Sequence, residues 1–391
     1  MPVIKLPTHD RRLESFELSD PWPWPQRTGT AFNRIAYAAV HVAAEPLSHS
    51  DPSRNSVVDW DATIAFREHI WDLGLGVAEA MDTAQRGMGM DWPSSRELIE
   101  RTLNAARGYD GEAIVGCGTG TDQLIPDDTT KIEDVIHAYE EQCDAVQAAG
   151  GRIILMASRA LAACARSPED YAHVYDRILG QIREPVIIHW LGDMFDPALK
   201  GYWGYSDLDS AMDICLEILK ENATHIDGIK ISLLDAQLEI NMRRRLPSGV
   251  RMYTGDDFNF AELIAGDAHG HSDALLGIFD AIAPAASAAL KALADDDPDD
   301  YNKILAPTVP LARHIFKAPT QHYKTGVALM AYLNGLQDHF TLIGGQQRAR
   351  SLLHLCDLFR LADRANLLRD PDLAVSRMEQ ILAVHGIDKE V

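Results

Sequence analysis

Eight short, continuously apolar runs recur along the chain, and most are followed by a stretch with helical spacing. That repetition constrains the fold more than any other feature. The runs are RIAYAAVHV (34–42), GVAEAMDT (76–83), EAIVGCGTG (112–120), RIILMAS (152–158), EPVIIHWLG (184–192), IDGIKIS (226–232), VRMYTGDD (250–257) and the apolar part of AHGHSDALLGIF (268–279). Runs that lack a period of two belong to parallel strands covered on both faces. Helical patterns fill 59–74, 94–107, 132–151, 167–182 and 206–223, with Asp59 placed to cap the first and glycines closing the third. Eight strand–helix units in one chain predict a (β/α)8 TIM barrel, with an open doubly wound sheet as the other arrangement.

The flanks read differently. Residues 1–30 form an N-terminal extension whose DPWPWPQRTG stretch cannot be a regular helix. It is expected to strap across a surface or a partner subunit. The barrel is assigned to 31–290 and a C-terminal helical segment to 291–391. Within that segment, DDDPDD (295–300) carries every local signal of an acidic loop.

A formal net charge of −22 argues against nucleic acid or an anionic membrane as partner. No window approaches the roughly 20 apolar residues of a membrane helix, and the N-terminus has no signal-peptide core. The five cysteines are scattered, without a CxxC, which fits a reducing cytoplasm.

In a barrel, chemistry is built at the C-terminal ends of the strands. Lys230 stands in the sixth run between Ile229 and Ile231, so alternation puts it in the lumen. Desolvation there lowers a lysine pKa and yields an amine able to attack a carbonyl. A structural lysine paired with a lumen carboxylate fits the same residues. His189, in the fifth run, reads either as a core histidine or as an acid–base group beside the Lys230 strand. His269 and His271 have a His-x-His metal spacing but need a third ligand, for which Asp82, Glu79 and His41 are candidates. GCGTGTDQ (116–123) lacks the spacing of either common phosphate loop and reads as a tight turn. Ser158 and Arg159 end the fourth run. Arg159 is a candidate clamp for a carboxylate or phosphate, or a solvated loop residue.

These segments, in this order, resemble the dihydrodipicolinate synthase / N-acetylneuraminate lyase superfamily, closest to an outlying synthase-like group. IDGIKIS looks like its Schiff-base lysine strand, VDWDATIAFREHIWDLG (58–74) its first helix, AIVGCGTGTDQ its third strand and EPVIIHWLG its fifth. The stretch from YTGDD to AIAP and PTQHYKTGVALMAYLNG resemble its later segments, so the likeness spans about 34–340. The resemblance implies that Lys230 forms the imine and that His189 stands where the family has a relay tyrosine. The family's carboxylate-binding GTTGE loop maps to Asp82-Thr83-Ala84-Gln85, retaining the threonine and losing the glycines. Its aromatic pair is replaced by Ser158 and Arg159.

The expected activity is a class I lyase, aldolase or dehydratase acting on a sugar-derived or keto-acid carbonyl compound. Lys230 and His189 are its catalytic residues. Asp82, Thr83, Thr119, Arg159, Tyr253 and His271 are its substrate-binding residues. No cofactor beyond the covalent imine is expected, and the family implies a homodimer or homotetramer. Two other readings stay open: a divalent-metal sugar enzyme using His189, His269 or His271, and Asp82 or Glu79; and a non-catalytic sugar-acid-binding barrel.

Overall fold

The computed structural model describes residues 1–27, 29, 31–51, 57–81 and 86–387. Two antiparallel strands come first, β1 (Val3–Pro7) and β2 (Leu13–Glu17). Eight parallel strands then close into a barrel: β3 (Ala36–Ala39), β4 (Gly76–Glu79), β5 (Val115–Thr119), β6 (Arg152–Met156), β7 (Val186–Leu191), β8 (Ile226–Ser232), β9 (Arg251–Thr254) and β10 (Asp273–Leu276). Each pairs with its neighbour in sequence, and β10 pairs with β3 to complete the ring. The expected TIM barrel is therefore the fold.

Helices α1 (Trp60–Asp72), α2 (Trp92–Gly108), α3 (Ile132–Ala148), α4 (Arg159–Cys164), α5 (Pro168–Leu179), α6 (Leu208–Glu221), α7 (Ala236–Arg243), α8 (Phe260–Ala265) and α9 (Ile278–Ala281) accompany the strands. Asp59 caps α1, accepting from the Ala62 amide at 3.0 Å. The C-terminal segment adds α10 (Ala283–Ala294), α11 (Pro298–Leu305), α12 (Thr308–Ile315), α13 (Lys324–Leu333), α14 (Leu352–Arg364) and α15 (Pro371–Val384). The acidic stretch expected as a loop is a turn over 295–297 only, and residues 298–300 open α11. Asp297 accepts from the Asp300 amide at 3.0 Å, Pro298 takes the first turn, and the acids there meet the positive end of the helix dipole.

The first 30 residues also differ from a plain strap. The β1–β2 hairpin packs against α14 and α15 of its own chain, burying Ile4, Leu6 and Leu18. Ser19 donates its amide to Asp363 at 2.9 Å, and the Trp24 indole donates to the Asn366 carbonyl at 2.7 Å.

The lumen is filled from its N-terminal end by Tyr37, Ile154, Ile187 and Tyr253, with Met156 and Leu275 in the same cluster. Room for the two tyrosines comes from glycine: a Cβ on Gly76 would lie 2.8 Å from the Tyr37 ring and one on Gly228 2.6 Å from the Tyr253 ring. The C-terminal segment folds over the opposite end. Ala43 bridges to Leu342, Gly344 lies against the Met88 carbonyl, and Lys324, first residue of α13, donates to the Ala39 carbonyl at the end of β3. No helix among the described residues is long and apolar enough to cross a membrane.

Candidate active site

Lys230 lies in β8 in register with His189 of β7 and Tyr253 of β9. Gly228, Lys230 and Ser232 share the lumen face of β8, while Ile229 and Ile231 pack outward into the core. The lysine is 7% exposed. Its stem passes beside Gly255, where a Cβ would sit 2.8 Å from the Lys230 Cε and 2.2 Å from the Ser232 Oγ. Only a residue without a side chain leaves the stem its path.

His189 is 1% exposed, with Nε2 3.1 Å from the Ser232 Oγ. Its Nδ1 has no hydrogen-bond partner among the described residues. Burial, reinforced by the charge of Lys230, pushes its pKa well below the ordinary histidine value. At neutral pH the ring is a neutral imidazole, suited to orienting hydroxyls more than to storing a proton.

A group that does titrate near neutrality is Asp257, three residues past β9. Its Oδ1 accepts from the Ile278 amide at 2.7 Å. Burial pushes its carboxyl up to about 7, against the opposing pull of that amide and of Lys230 and Lys324. Lys324 is 2% exposed, and burial brings its pKa down to about 8 although Asp280 stands 3.7 Å away. Asp280 is tied in turn to the His41 backbone amide at 2.6 Å and to its Nδ1 at 2.9 Å. The Nε2 of His41 lies 3.0 Å from the Gln337 Oε1. Lys230, His189, Asp257, Lys324, Asp280 and His41 thus gather at the C-terminal end of the barrel. Asp257, Lys324 and Asp280 were not singled out from the sequence. Lys324 carried the same signal as Lys230, a lone cation in an apolar stretch, since all ten residues of its helix are buried.

The other expected residues scatter. Arg159 opens α4 above β6, and its guanidinium donates to Asp196. The two line a cavity of about 210 Å³ with Gly120, Asp122, Met156 and Ala157, so Arg159 stands at the mouth on the β5–β6 side. Thr119 faces outward: the Cys143 thiol of α3 reaches its hydroxyl at 3.6 Å, because Gly116 and Gly118 take the lumen positions of β5. Tyr253 points into the lumen but toward its N-terminal end. Its hydroxyl donates to Asp227 at 2.6 Å, and burial together with that bond raises its pKa far above the ordinary value. His271 is exposed ahead of β10, at the end of the barrel opposite the mouth. Asp82 and Thr83 lie outside the described residues.

The metal reading meets the same scatter. Glu79 faces the helices, held by Arg67 at 2.8 and 3.0 Å and by the Thr102 hydroxyl at 2.8 Å. His269 lies with His271 in the turn before β10, far along the barrel from His189. Among the described residues no group of three His, Cys, Asp or Glu side chains is placed to hold a metal ion.

Comparison with solved structures finds the same barrel at low identity. A prophage protein of E. coli K12 belonging to the dihydrodipicolinic acid synthase family, solved with pyruvate, matches at 13% identity and a TM-score of 0.64, covering 86% of this chain and 100% of that one. Dihydrodipicolinate synthase from Aquifex aeolicus matches at 12% identity and 0.61, covering 92% and 100%. The enzyme from Oceanobacillus iheyensis matches at 15% and 0.60, covering 86% and 97%. At such identities the likeness shows a shared fold. No curated protein sequence matches the chain. One family model, described as a protein of unknown function (DUF993), matches residues 4–387, so nearly the whole chain belongs to the DUF993 family.

Proposed function

We propose that the protein is a Schiff-base-forming lyase or aldolase whose nucleophile is the Lys230 amine and whose substrate is a small carbonyl compound, sugar-derived or a keto acid. One observation carries the reading: a lysine in the lumen of the sixth barrel strand, almost fully buried, with its stem threaded past a glycine. An imine on that nitrogen acts as an electron sink, so a carbon–carbon bond two atoms away can break or form, or a β-leaving group can depart. The related fold supports it, since one protein with this barrel was solved with pyruvate, itself a small carbonyl compound.

The rest of the mouth fits such a substrate. Neutral His189, with Ser232 on one nitrogen, orients a hydroxyl. Arg159, anchored by Asp196 at the β5–β6 side, offers a cation for an anionic substituent. Reaction with borohydride in the presence of pyruvate, other 2-oxo acids and ketoses tests the reading. A mass increase equal to the reduced adduct is expected in the native protein and not in Lys230→Ala. No adduct with any of these carbonyls, or an equal adduct in Lys230→Ala, overturns it.

A further inference from the structure

The imine cycle needs a proton carrier, and neutral, deeply buried His189 is poorly suited to the task. The mouth holds another group. Asp257 is 4% exposed and follows by two residues the glycine that the Lys230 stem crosses. One of its oxygens is fixed by the Ile278 amide at the start of α9, and its Oδ2 accepts no hydrogen bond from the described residues. That leaves one oxygen anchored and one available for chemistry. Lys324 enters from α13, closing the β3 side of the mouth, with its ammonium on the Ala39 carbonyl and 3.7 Å from Asp280.

We infer that Asp257 is the acid–base group serving an imine on Lys230, and that Lys324, folded over the mouth from α13, is a positioning residue beside it. The inference rests on the Schiff-base reading above and assigns its proton traffic. The amine nitrogen of Lys230 adds to the carbonyl carbon, losing one proton while the carbonyl oxygen gains one, to give a neutral carbinolamine. Neutral Asp257 then protonates the leaving hydroxyl. The C–O bond breaks, water departs, and a cationic imine and the Asp257 carboxylate remain. The carboxylate next removes a proton from the adjacent carbon. The C–H electrons flow into the iminium, giving a neutral enamine and returning Asp257 to its protonated form. No oxidant, reductant or metal enters the balance. A carboxyl that titrates near 7 can run both halves of this cycle at neutral pH.

The groups facing Asp257 are Lys230 from β8, Lys324 from α13, Asp256 beside it in the chain and the Ile278 amide from α9. Removing one cation from that set moves its titration upward. The test uses full-length protein and pyruvate as the probe, following deuterium incorporation into the methyl group by NMR alongside borohydride trapping. Asp257→Asn should still give the Lys230 adduct on long incubation while exchange falls by about 100-fold or more. Lys324→Gln should retain exchange but shift its pH profile to higher pH, a displacement that loss of packing alone does not produce. Exchange at the native rate in Asp257→Asn, in protein that still traps, overturns the inference and leaves Lys230 standing. An unshifted profile in Lys324→Gln overturns the role given to Lys324. Failure of the native protein to trap overturns the Schiff-base reading and this one with it.

Discussion

Two regions of the molecule bury ionisable side chains in opposite ways. In the helix layer outside β4, Arg67 and Glu79 are both fully buried and fully engaged. The guanidinium holds the carboxylate at two points and also donates to the His41 and Thr63 carbonyls, while Thr102 donates to Glu79. At the mouth, His189 keeps a nitrogen without a described partner, Asp257 keeps an oxygen without one, and burial displaces both from their ordinary pKa values. A satisfied buried pair specifies structure, whereas buried groups with spare valence and shifted pKa values mark chemistry. By that contrast Arg67–Glu79 fits the scaffold and the Lys230 cluster fits the proposed site.

The largest break in the contrast comes from Gly255→Ala. Its Cβ would fall within 2.2–2.8 Å of Ser232, Ile231 and Lys230, so the lysine stem must move. Borohydride adduct formation should fall by about 100-fold or more, while urea unfolding shows a protein that still folds. Arg67→Met should do the reverse. It strands a buried carboxylate and costs about 3–5 kcal/mol in urea unfolding, with adduct formation intact in the folded fraction.

Glu239, on α7 in the helix layer, limits that contrast, because it has the spare valence and the raised pKa without standing at the mouth. Its Oε1 accepts from the Ser272 hydroxyl at 2.7 Å, its Oε2 has no described partner, and burial pushes its carboxyl up to about 8. The folded state holds this proton more tightly than the unfolded chain. Stability is therefore favoured below the unfolded glutamate pKa and declines as pH rises through the window up to about 8. Glu239→Gln should flatten that part of the stability–pH curve and leave the exchange profile of the mouth alone. The smallest effect belongs to the foot of the barrel. Tyr253→Phe removes the hydroxyl donated to Asp227, which retains Arg251 at 2.6 Å, and should cost about 1 kcal/mol without altering adduct formation.

The barrel could be read from the chain because its signal is local and repeated. Each strand is a short apolar run, and the order of runs prescribes the order of strands. Lys230 was legible for the same reason, as the single cation in one such run. The hairpin at 3–17 was not, since its apolar residues find their partners on α14 and α15, more than three hundred positions away. Thr119 was assigned to the right strand end and the wrong face, although the alternating glycines at 116 and 118 already reserved the lumen positions. Tyr253 sits on the expected face, but a ring of that length reaches the far end of the lumen. Lys324 meets Asp257 and Asp280 only because the segment after the barrel folds back over its mouth, which no local pattern specifies.

The measurement closest to the central claim is peptide mapping of the native protein after reduction with borohydride and a reactive carbonyl probe. Both lysines of the mouth are buried and both are nitrogen nucleophiles, so the position of the adduct decides between them. A reduced adduct confined to the peptide containing Lys230 is expected, with the Lys324 peptide unmodified. An adduct on Lys324 with Lys230 unmodified would contradict it.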